Sequence, residues 1–345
     1  MRNDVPPRLA VTLGDPAGIG PELVLRALAD RDVAAACRLF VYGNHKLLMR
    51  VAEAARIPFV SDITVLPPPL GMGEIPDGGG HILYDFPFGA AGSVLPGQVQ
   101  AACGQQAYQW IEAAVRDTLA GRSDALVTAP ICKEALHLAG VPFPGHTEML
   151  GHLTGVPDPC MVFHSPSWMM GLVTIHEALA DVPRLLSVGR VLRTIRLTHE
   201  GCVRFRGGGA PRIGVLALNP HAGERGLFGT EEARVIIPAI EQARSEGLDV
   251  SGPLVPDTAF AFFPHEGGGA FDAYVAMYHD QGLIPFKMVA FDTGVNVTLG
   301  LPFVRTSPDH GTAFDLAWQG RANAESFLNA IRLLANQSGA AASAV

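Results

Sequence analysis

Ala273-Tyr-Val-Ala-Met-Tyr278 runs into His279 and Asp280, and two other stretches of the chain end the same way. Gly171-Leu-Val-Thr-Ile175 runs into His176, and Ile213-Gly-Val-Leu-Ala-Leu218 passes through Asn219-Pro220 into His221. Short apolar runs of this kind read as buried strands. If the three are parallel, their carboxyl ends share one sheet edge, where open α/β folds keep their ligands. Three imidazoles delivered to that edge form a divalent-metal site with open coordination positions. The competing reading is three histidines in ordinary loop hydrogen bonds. Asp280 adds either a fourth, oxygen ligand or a carboxylate that orients a ring N–H. Imidazoles suit zinc, cobalt, nickel or iron better than magnesium, and the lack of H-E-x-x-H sets aside a zincin protease.

Elsewhere strand-like and helix-like segments alternate. Arg8–Leu13, Leu39–Tyr42, Ile63–Leu66 and Asp124–Thr128 read as strands. Helices are expected after Pro21, over Gln98 to Ala120, around Lys133, over Thr230–Ser245, and over Phe314–Ala317 and Phe327–Leu334. Such alternation predicts a largely parallel α/β sheet. The 345 residues exceed the roughly 250–300 at which one core stops growing, so two lobes are expected. Leu66 to Gly80 reads as a surface excursion, Gly207-Gly-Gly209 as a loop or hinge, and Ser338–Val345 as a frayed end.

A net charge of −8 argues against nucleic acid as the main partner, though a local basic pocket can still hold phosphate. Neither a signal peptide nor an apolar run of about 18 residues is evident, so no membrane span is expected. Five cysteines without a C-x-x-C pair fit reduced thiols and a cytoplasmic protein.

An anion pocket is the second expected site. Gly145-His146-Thr147-Glu148 sits where a helix should begin, and its hydroxyl, ring and free N–H groups suit a phosphate. Lys287, Asn296 and Arg305 lie on short apolar segments, where a cation is costly unless paired with an anion or a carboxylate. Gly14-x-x-x-Gly18-x-Gly20 lacks the dinucleotide-binding spacing and reads as a tight strand-to-helix turn. Asp309-His310-Gly311-Thr312-Ala313 opens a helix near Phe314 and either caps it or approaches a ribose or pyrophosphate. Lys133 is a candidate acid or base, and Asp257 is either an N-cap or a polar contact to substrate.

These motifs resemble those of the 4-hydroxythreonine-4-phosphate dehydrogenase family of pyridoxal-phosphate biosynthesis. The resemblance runs through Gly14–Glu22, Val127–Lys133, Gly145–Glu148, Asn219–Glu224 with Gly229–Glu231, Gly252–Thr258, Tyr278–Gly282 and Gly294–Ala313. It implies a two-lobed α/β fold like that of isocitrate and isopropylmalate dehydrogenases, with a cleft between the lobes. Lobe one would hold residues 1–130 and about 292–345 with the cofactor loop. Lobe two, about 131–291, would hold the metal ligands and dimer contacts.

The resemblance further implies one divalent metal (Zn, Co or Mg) on His176, His221 and His279. Substrate contacts would come from His146, Thr147, Lys287, Asn296 and Arg305, and NAD or NADP would lie against His310, Gly311 and Thr312. Lys133, Asp257 and Asp280 become the catalytic candidates, in a homodimer whose active site draws on both subunits. The implied reaction is NAD(P)-dependent oxidation of 4-hydroxythreonine 4-phosphate with decarboxylation to 3-amino-2-oxopropyl phosphate. Related branches oxidise D-threonate or D-erythronate 4-phosphate, or aromatic cis-dihydrodiol acids; the last tend to lack Gly-His-Thr-Glu, which is intact here. The chain departs from the biosynthetic pattern at His176-Glu-Ala-Leu-Ala-Asp181, where an apolar residue and a proline usually follow the histidine, and at Cys132, where asparagine is common.

Overall fold

The computed structural model describes residues 6–69, 80–206, 209–261 and 270–337. The end from Ser338, most of the Leu66–Gly80 excursion and Gly207-Gly208 lie outside the described residues. The chain forms two compact units, Met1–Pro159 with Gly300–Val345, and Cys160–Leu299.

The first unit opens with β1 (Arg8–Thr12), α1 (Gly20–Ala29), α2 (Arg31–Ala36), β2 (Arg38–Gly43), α3 (His45–Ala55), β3 (Thr64–Leu66) and β4 (Ile82–Asp85). It continues with α4 (Ala101–Leu119), β5 (Ala125–Thr128), α5 (Lys133–Leu138) and α6 (His146–Thr154). The second unit holds β6 (Cys160–His164), β7 (Met169–Leu172), α7 (Val182–Leu185), α8 (Val188–Arg206), β8 (Ile213–Leu216) and α9 (Ile237–Ser245). It ends with β9 (Val250–Leu254), α10 (Pro256–Ala259), β10 (Ala273–Ala276), α11 (His279–Ala290) and β11 (Val295–Leu299). The chain then returns to the first unit for β12 (Arg305–Pro308) and α12 (Glu325–Ala335).

In the first unit the strands lie in the order β3-β4-β2-β1-β5-β12, every pair parallel. Their buried faces read as continuous apolar runs, as strands covered on both sides must. The turn after β1 is tight: Gly14 has φ 68°, and a Cβ there would sit 2.2 Å from the Pro130 carbonyl oxygen. Only glycine fits both demands. Pro21 then opens α1 where a missing N–H costs nothing.

Residues 131–159 belong to this unit, so the division falls after Pro159 and not near 130 as expected from the sequence. The reason is packing: α5 and α6 lie on α4, and Tyr108 stacks on Phe143 at 6.2 Å between ring centroids.

In the second unit the order is β11-β6-β7-β10-β8-β9. β7, β10 and β8 are parallel neighbours, with Ala273 of β10 registered against Met169 and Ile213. The strand pairs β11/β6 and β6/β7 are antiparallel. Trp168, Tyr274, Phe163 and Phe286 form a fully buried aromatic cluster beneath α11. Each contributes roughly 1.5–3 kcal/mol by burial. α11 approaches the strands closely because position 282 is glycine: a Cβ would lie 2.7 Å from Leu172 Cδ2 and 3.0 Å from Ala276 Cβ.

Candidate functional site

The first unit gathers basic groups around the turn at Gly145. Gly145 precedes α6 and offers no side-chain cap, so the first-turn amides at His146 and Thr147 are open to an anion. Thr147 is buried. The His146 ring is partly exposed, yet its Nε2 is shielded and has no hydrogen-bond partner among the described residues. Burial, then the nearby charges of Arg305 and Lys133, hold that imidazole well below its usual pKa. It is therefore neutral at pH 7.

Arg305, in β12, is 2% exposed. Its Nε and an Nη donate to Thr128 Oγ1 at 3.0 and 2.6 Å, and burial pushes its pKa down from the guanidinium value. A buried guanidinium is retained where it is paired with acceptors or an anion. Lys133 begins α5 and is exposed, and its Cε lies 3.6 Å from where a Gly145 Cβ would be. Lys133, His146 and Arg305 are thus brought together, as an anion pocket requires.

The cofactor expectation falls on the same unit. Nδ1 of His310 and the Gly311 carbonyl are 3.1 Å apart, while His310 Nε2 is shielded and has no partner among the described residues. The Gly14–Gly20 turn buttresses this loop, since Ile19 N donates to the Thr312 carbonyl at 3.0 Å. A shielded ring nitrogen on a braced loop fits a polar contact to a nucleotide. The expected helix after the loop is only a 3₁₀ turn, Phe314–Leu316, because Ala313 adopts φ 40° and breaks the approach. A helix dipole at that point is therefore removed from the reading.

In the second unit the three expected histidines all follow parallel neighbouring strands. His176 lies just beyond β7, His279 begins α11 after β10, and His221 follows β8. The rings of His176 and His279 are 5.9 Å apart, centroid to centroid. Two imidazoles sharing one ion with Zn–N of about 2.0–2.1 Å have centroids roughly 5–6 Å apart. Nδ1 of His279 lies 2.6 Å from Asp280 Oδ1, so the orienting role of Asp280 is the one its geometry fits.

His221 packs on Phe228, ring centroids 6.3 Å apart, and sits in a left-handed turn in which His221 to Arg225 all have positive φ. Each non-glycine residue there costs about 1–2 kcal/mol. Among the described residues no group of three or more His, Cys, Asp or Glu side chains is placed to hold a metal ion. The donor types suit a divalent cation, but only His176 and His279 are brought together; His221 stands on the neighbouring strand exit, outside a common ligand set.

The remaining expected residues lie on three different elements of the second unit. Asn296 is in β11, with Oδ1 shielded and without a partner among the described residues. Lys287 is half-buried in α11. Asp257 is exposed in the first turn of α10, whose N-cap is Val255, so the capping role is excluded.

Several residues the sequence did not single out hold the strand exits. The Glu232 carboxylate is 3% exposed and accepts from Leu218 N at 2.9 Å, Asn219 N at 2.7 Å and Asn219 Nδ2 at 3.0 Å. Thr174 and Gln281 tie the exits of β7, β10 and β8 to one another. A carboxylate facing backbone amides carries no spacing signal, so only the fold reveals it.

Comparison with known proteins gives the family. The family described as pyridoxal phosphate biosynthetic protein PdxA matches residues 35–334. A 4-hydroxythreonine-4-phosphate dehydrogenase of Geobacter metallireducens is 48% identical over 95% of this chain and 95% of its own. A D-threonate 4-phosphate dehydrogenase of Cupriavidus necator is 43% identical over 96% of this chain and 97% of its own. The crystal structure of 4-hydroxythreonine-4-phosphate dehydrogenase from Klebsiella pneumoniae superposes with a TM-score of 0.83 at 40% identity, covering 97% of this chain and 99% of that one. The α/β architecture, the histidines at the strand exits and similarity along nearly the whole length lead to one conclusion: this chain belongs to the PdxA family.

Proposed function

We propose that the protein is an NAD(P)-dependent dehydrogenase that oxidises the secondary alcohol of 4-hydroxythreonine 4-phosphate, with loss of CO2 to give 3-amino-2-oxopropyl phosphate. The observation that carries this reading is the His176–His279 pair at adjacent parallel strand exits, in a chain similar throughout to dehydrogenases of phosphorylated hydroxy acids. D-threonate or D-erythronate 4-phosphate is the second reading, supported by the 43% identity to a D-threonate 4-phosphate dehydrogenase.

His176, His221 and His279 would hold the divalent ion, and Asp280 would keep His279 oriented through Nδ1. When bound, the cation supplies Lewis-acid stabilisation of oxyanion charge and the nicotinamide supplies a hydride acceptor. Arg305, His146 and Thr147 bind the phosphate, with Lys287 and Asn296 as further substrate contacts, so that the reacting C–H is held in one orientation. Lys133 and Asp257 exchange protons with substrate and product. His310, Gly311 and Thr312 contact the nicotinamide nucleotide.

A homodimer is part of the proposal. Ile284, Met288, Val289 and Phe291, at α11 and its C-terminal cap, are 50–81% exposed, and Leu227 in the His221 loop is 73% exposed. Apolar side chains exposed in such number favour a protein surface as neighbour. A cytoplasmic site of action is proposed with it; no helix among the described residues is long and apolar enough to cross a membrane.

The test is NAD(P) reduction with 4-hydroxythreonine 4-phosphate, D-threonate and D-erythronate 4-phosphates, and a cis-dihydrodiol acid, before and after exhaustive chelation. The proposal expects fastest turnover of 4-hydroxythreonine 4-phosphate, lost on chelation and restored by zinc or cobalt. Full activity in the chelated protein would overturn the metal, and exclusive turnover of the sugar-acid phosphates would transfer the protein to the second reading.

A further inference from the structure

We infer that the Asp15 carboxylate is a buried counter-charge for the oxidised nicotinamide, so that the protein favours the cationic form of the cofactor over the reduced form. The inference deepens the proposed nicotinamide chemistry and rests on that reading.

The argument starts from the strand order of the first unit. From β1 the chain moves to β2 on one side, and β5 later pairs with β1 on the other. The order therefore reverses between β1 and β5, and open α/β sheets take ligands outside the carboxyl ends of the strands at such a reversal. Two turns flank it, residues 14–20 after β1 and residues 129–132 after β5. Asp15 joins them, because its N–H donates to the Pro130 carbonyl at 2.9 Å.

The turn that carries Asp15 is held from several sides. Ala17 N donates to Asp15 Oδ1 at 2.8 Å, and the Trp318 indole donates to the Pro16 carbonyl at 3.2 Å. Gly97 N donates to the Ala17 carbonyl at 2.8 Å, and Ile19 N to the Thr312 carbonyl at 3.0 Å. Through Ile19 the turn braces the loop proposed for the nucleotide, and through Pro130 it meets the segment that leads to Lys133 of the anion pocket. Hydride transfer brings the nicotinamide and the substrate together between those two places.

The charge has no counterpart. Asp15 is 1% exposed, and its Oδ2 is shielded with no hydrogen-bond partner among the described residues. Burial raises its pKa to about 6 against the opposing effect of the Ala17 amide. The titratable groups that face it are two thiols, Cys103 on α4 and Cys132 ahead of α5. Burial raises both thiols and the Asp15 charge raises them further, so neither supplies a balancing charge. Lys133 follows Cys132 and His310 lies on the braced loop, but neither acts on the Asp15 carboxyl. A buried carboxylate is rarely kept without a positive partner. The oxidised nicotinamide ring is cationic and the reduced ring is neutral. In a shielded crevice the attraction acts through space without being screened by water.

The pH dependence follows with its sign. A bound cation favours ionised Asp15, so NAD+ binding at low pH must expel a proton. Affinity for NAD+ therefore falls as pH drops below about 6. NADH and ADP-ribose carry no nicotinamide cation and do not share that fall. An opposite charge nearby shifts a carboxyl by about 1–3 pKa units, each unit worth about tenfold in affinity.

The experiment titrates NAD+, NADH and ADP-ribose into the full-length protein by calorimetry across this pH range, for wild type and Asp15→Asn. The 2′-phosphorylated set replaces them if wild type prefers it. Asp15→Asn keeps an acceptor for Ala17 N and loses the charge. The inference expects NAD+ affinity about 10–100-fold weaker in Asp15→Asn at neutral pH, with its pH dependence gone. NADH and ADP-ribose should change by about twofold or less. A residue that only braces the loop would weaken all three alike.

Equal losses for the three ligands, or unchanged NAD+ affinity with a weaker hold on the substrate ammonium instead, overturn the inference and leave the dehydrogenase reading standing. Failure of wild type to bind any nicotinamide nucleotide overturns both. If Asp15→Asn does not fold, the wild-type profiles decide: parallel pH dependence for NAD+ and NADH overturns the inference.

Discussion

The two units build their polar sites by opposite means. In the first, basic groups are made ready by burial: Arg305 is 2% exposed against Thr128, and His146 is kept neutral with a shielded Nε2. In the second, His176 and His221 are exposed and His279 partly so, and order comes from hydrogen bonds among the strand exits behind them. A phosphate bound there as proposed would meet an Arg305 guanidinium that is already out of water. A cation entering the second must complete an arrangement in which two imidazoles are together and the third is in a strained left-handed turn. Under the proposed function, the first unit would recognise an anion with buried charge, and the second would recognise a cation with the placement of its strand exits.

The sharpest way to break it is to remove a ligand outright. His279→Ala should abolish specific zinc binding and lower NAD(P)H formation by more than about 100-fold, beyond the range for groups that only orient a ligand. A loss of less than about tenfold in the absorbance assay would leave the second unit without its assigned role. On the other side, Arg305→Met should raise KM for a phosphorylated substrate by roughly 10–100-fold, the worth of a charged hydrogen bond of about 1.5–3 kcal/mol. A dephosphorylated analogue should be affected much less. Equal losses for both would remove Arg305 from phosphate recognition.

Two smaller effects sharpen the contrast. Asp280→Asn leaves His279 in place but takes the carboxylate from its Nδ1, and zinc affinity should fall by about tenfold. Calorimetric titration showing unchanged affinity would argue that Asp280 orients nothing. For His146 the prediction concerns stability. Its folded pKa is depressed by burial, so below pH 6.5 the unfolded chain binds a proton the native state refuses. Stability should therefore decline by up to about 1.4 kcal/mol per pH unit as pH falls from 6.5 toward the folded pKa, then level off. His146→Gln should flatten that part of the urea-unfolding profile. An identical slope in the variant would mean that the imidazole is not held neutral.

How much was legible depended on the kind of interaction. The exits of β7, β8 and β10 showed in the sequence because buried parallel strands are continuous apolar runs and their ends are abruptly polar. Gly145–Glu148 was legible as a helix start for a similar local reason, and α6 does begin at His146. The Thr230–Ser245 helix was found, but not its π-helical opening over Glu232–Ile236, which places Glu232 against the Leu218 and Asn219 amides.

The antiparallel strands β6 and β11 and the 19-residue α8 do not stand out in the sequence, since pairing direction carries no local signature. Asp309–Ala313 was read as a helix entrance because its composition suits one; the positive φ of Ala313 is a tertiary result. Gln281 is the clearest lesson. Nothing in the Tyr278–Gly282 stretch marks it, and its meaning lies in which two strand exits its amide joins.

The central claim is that β7, β8 and β10 deliver one cation site. Crystals of the full-length protein grown with zinc, measured at the zinc absorption edge, test it directly. The account predicts one anomalous peak per chain, ligated by His176, His221 and His279. A peak on other residues, or catalytically competent crystals with no peak near the three strand exits, would contradict it.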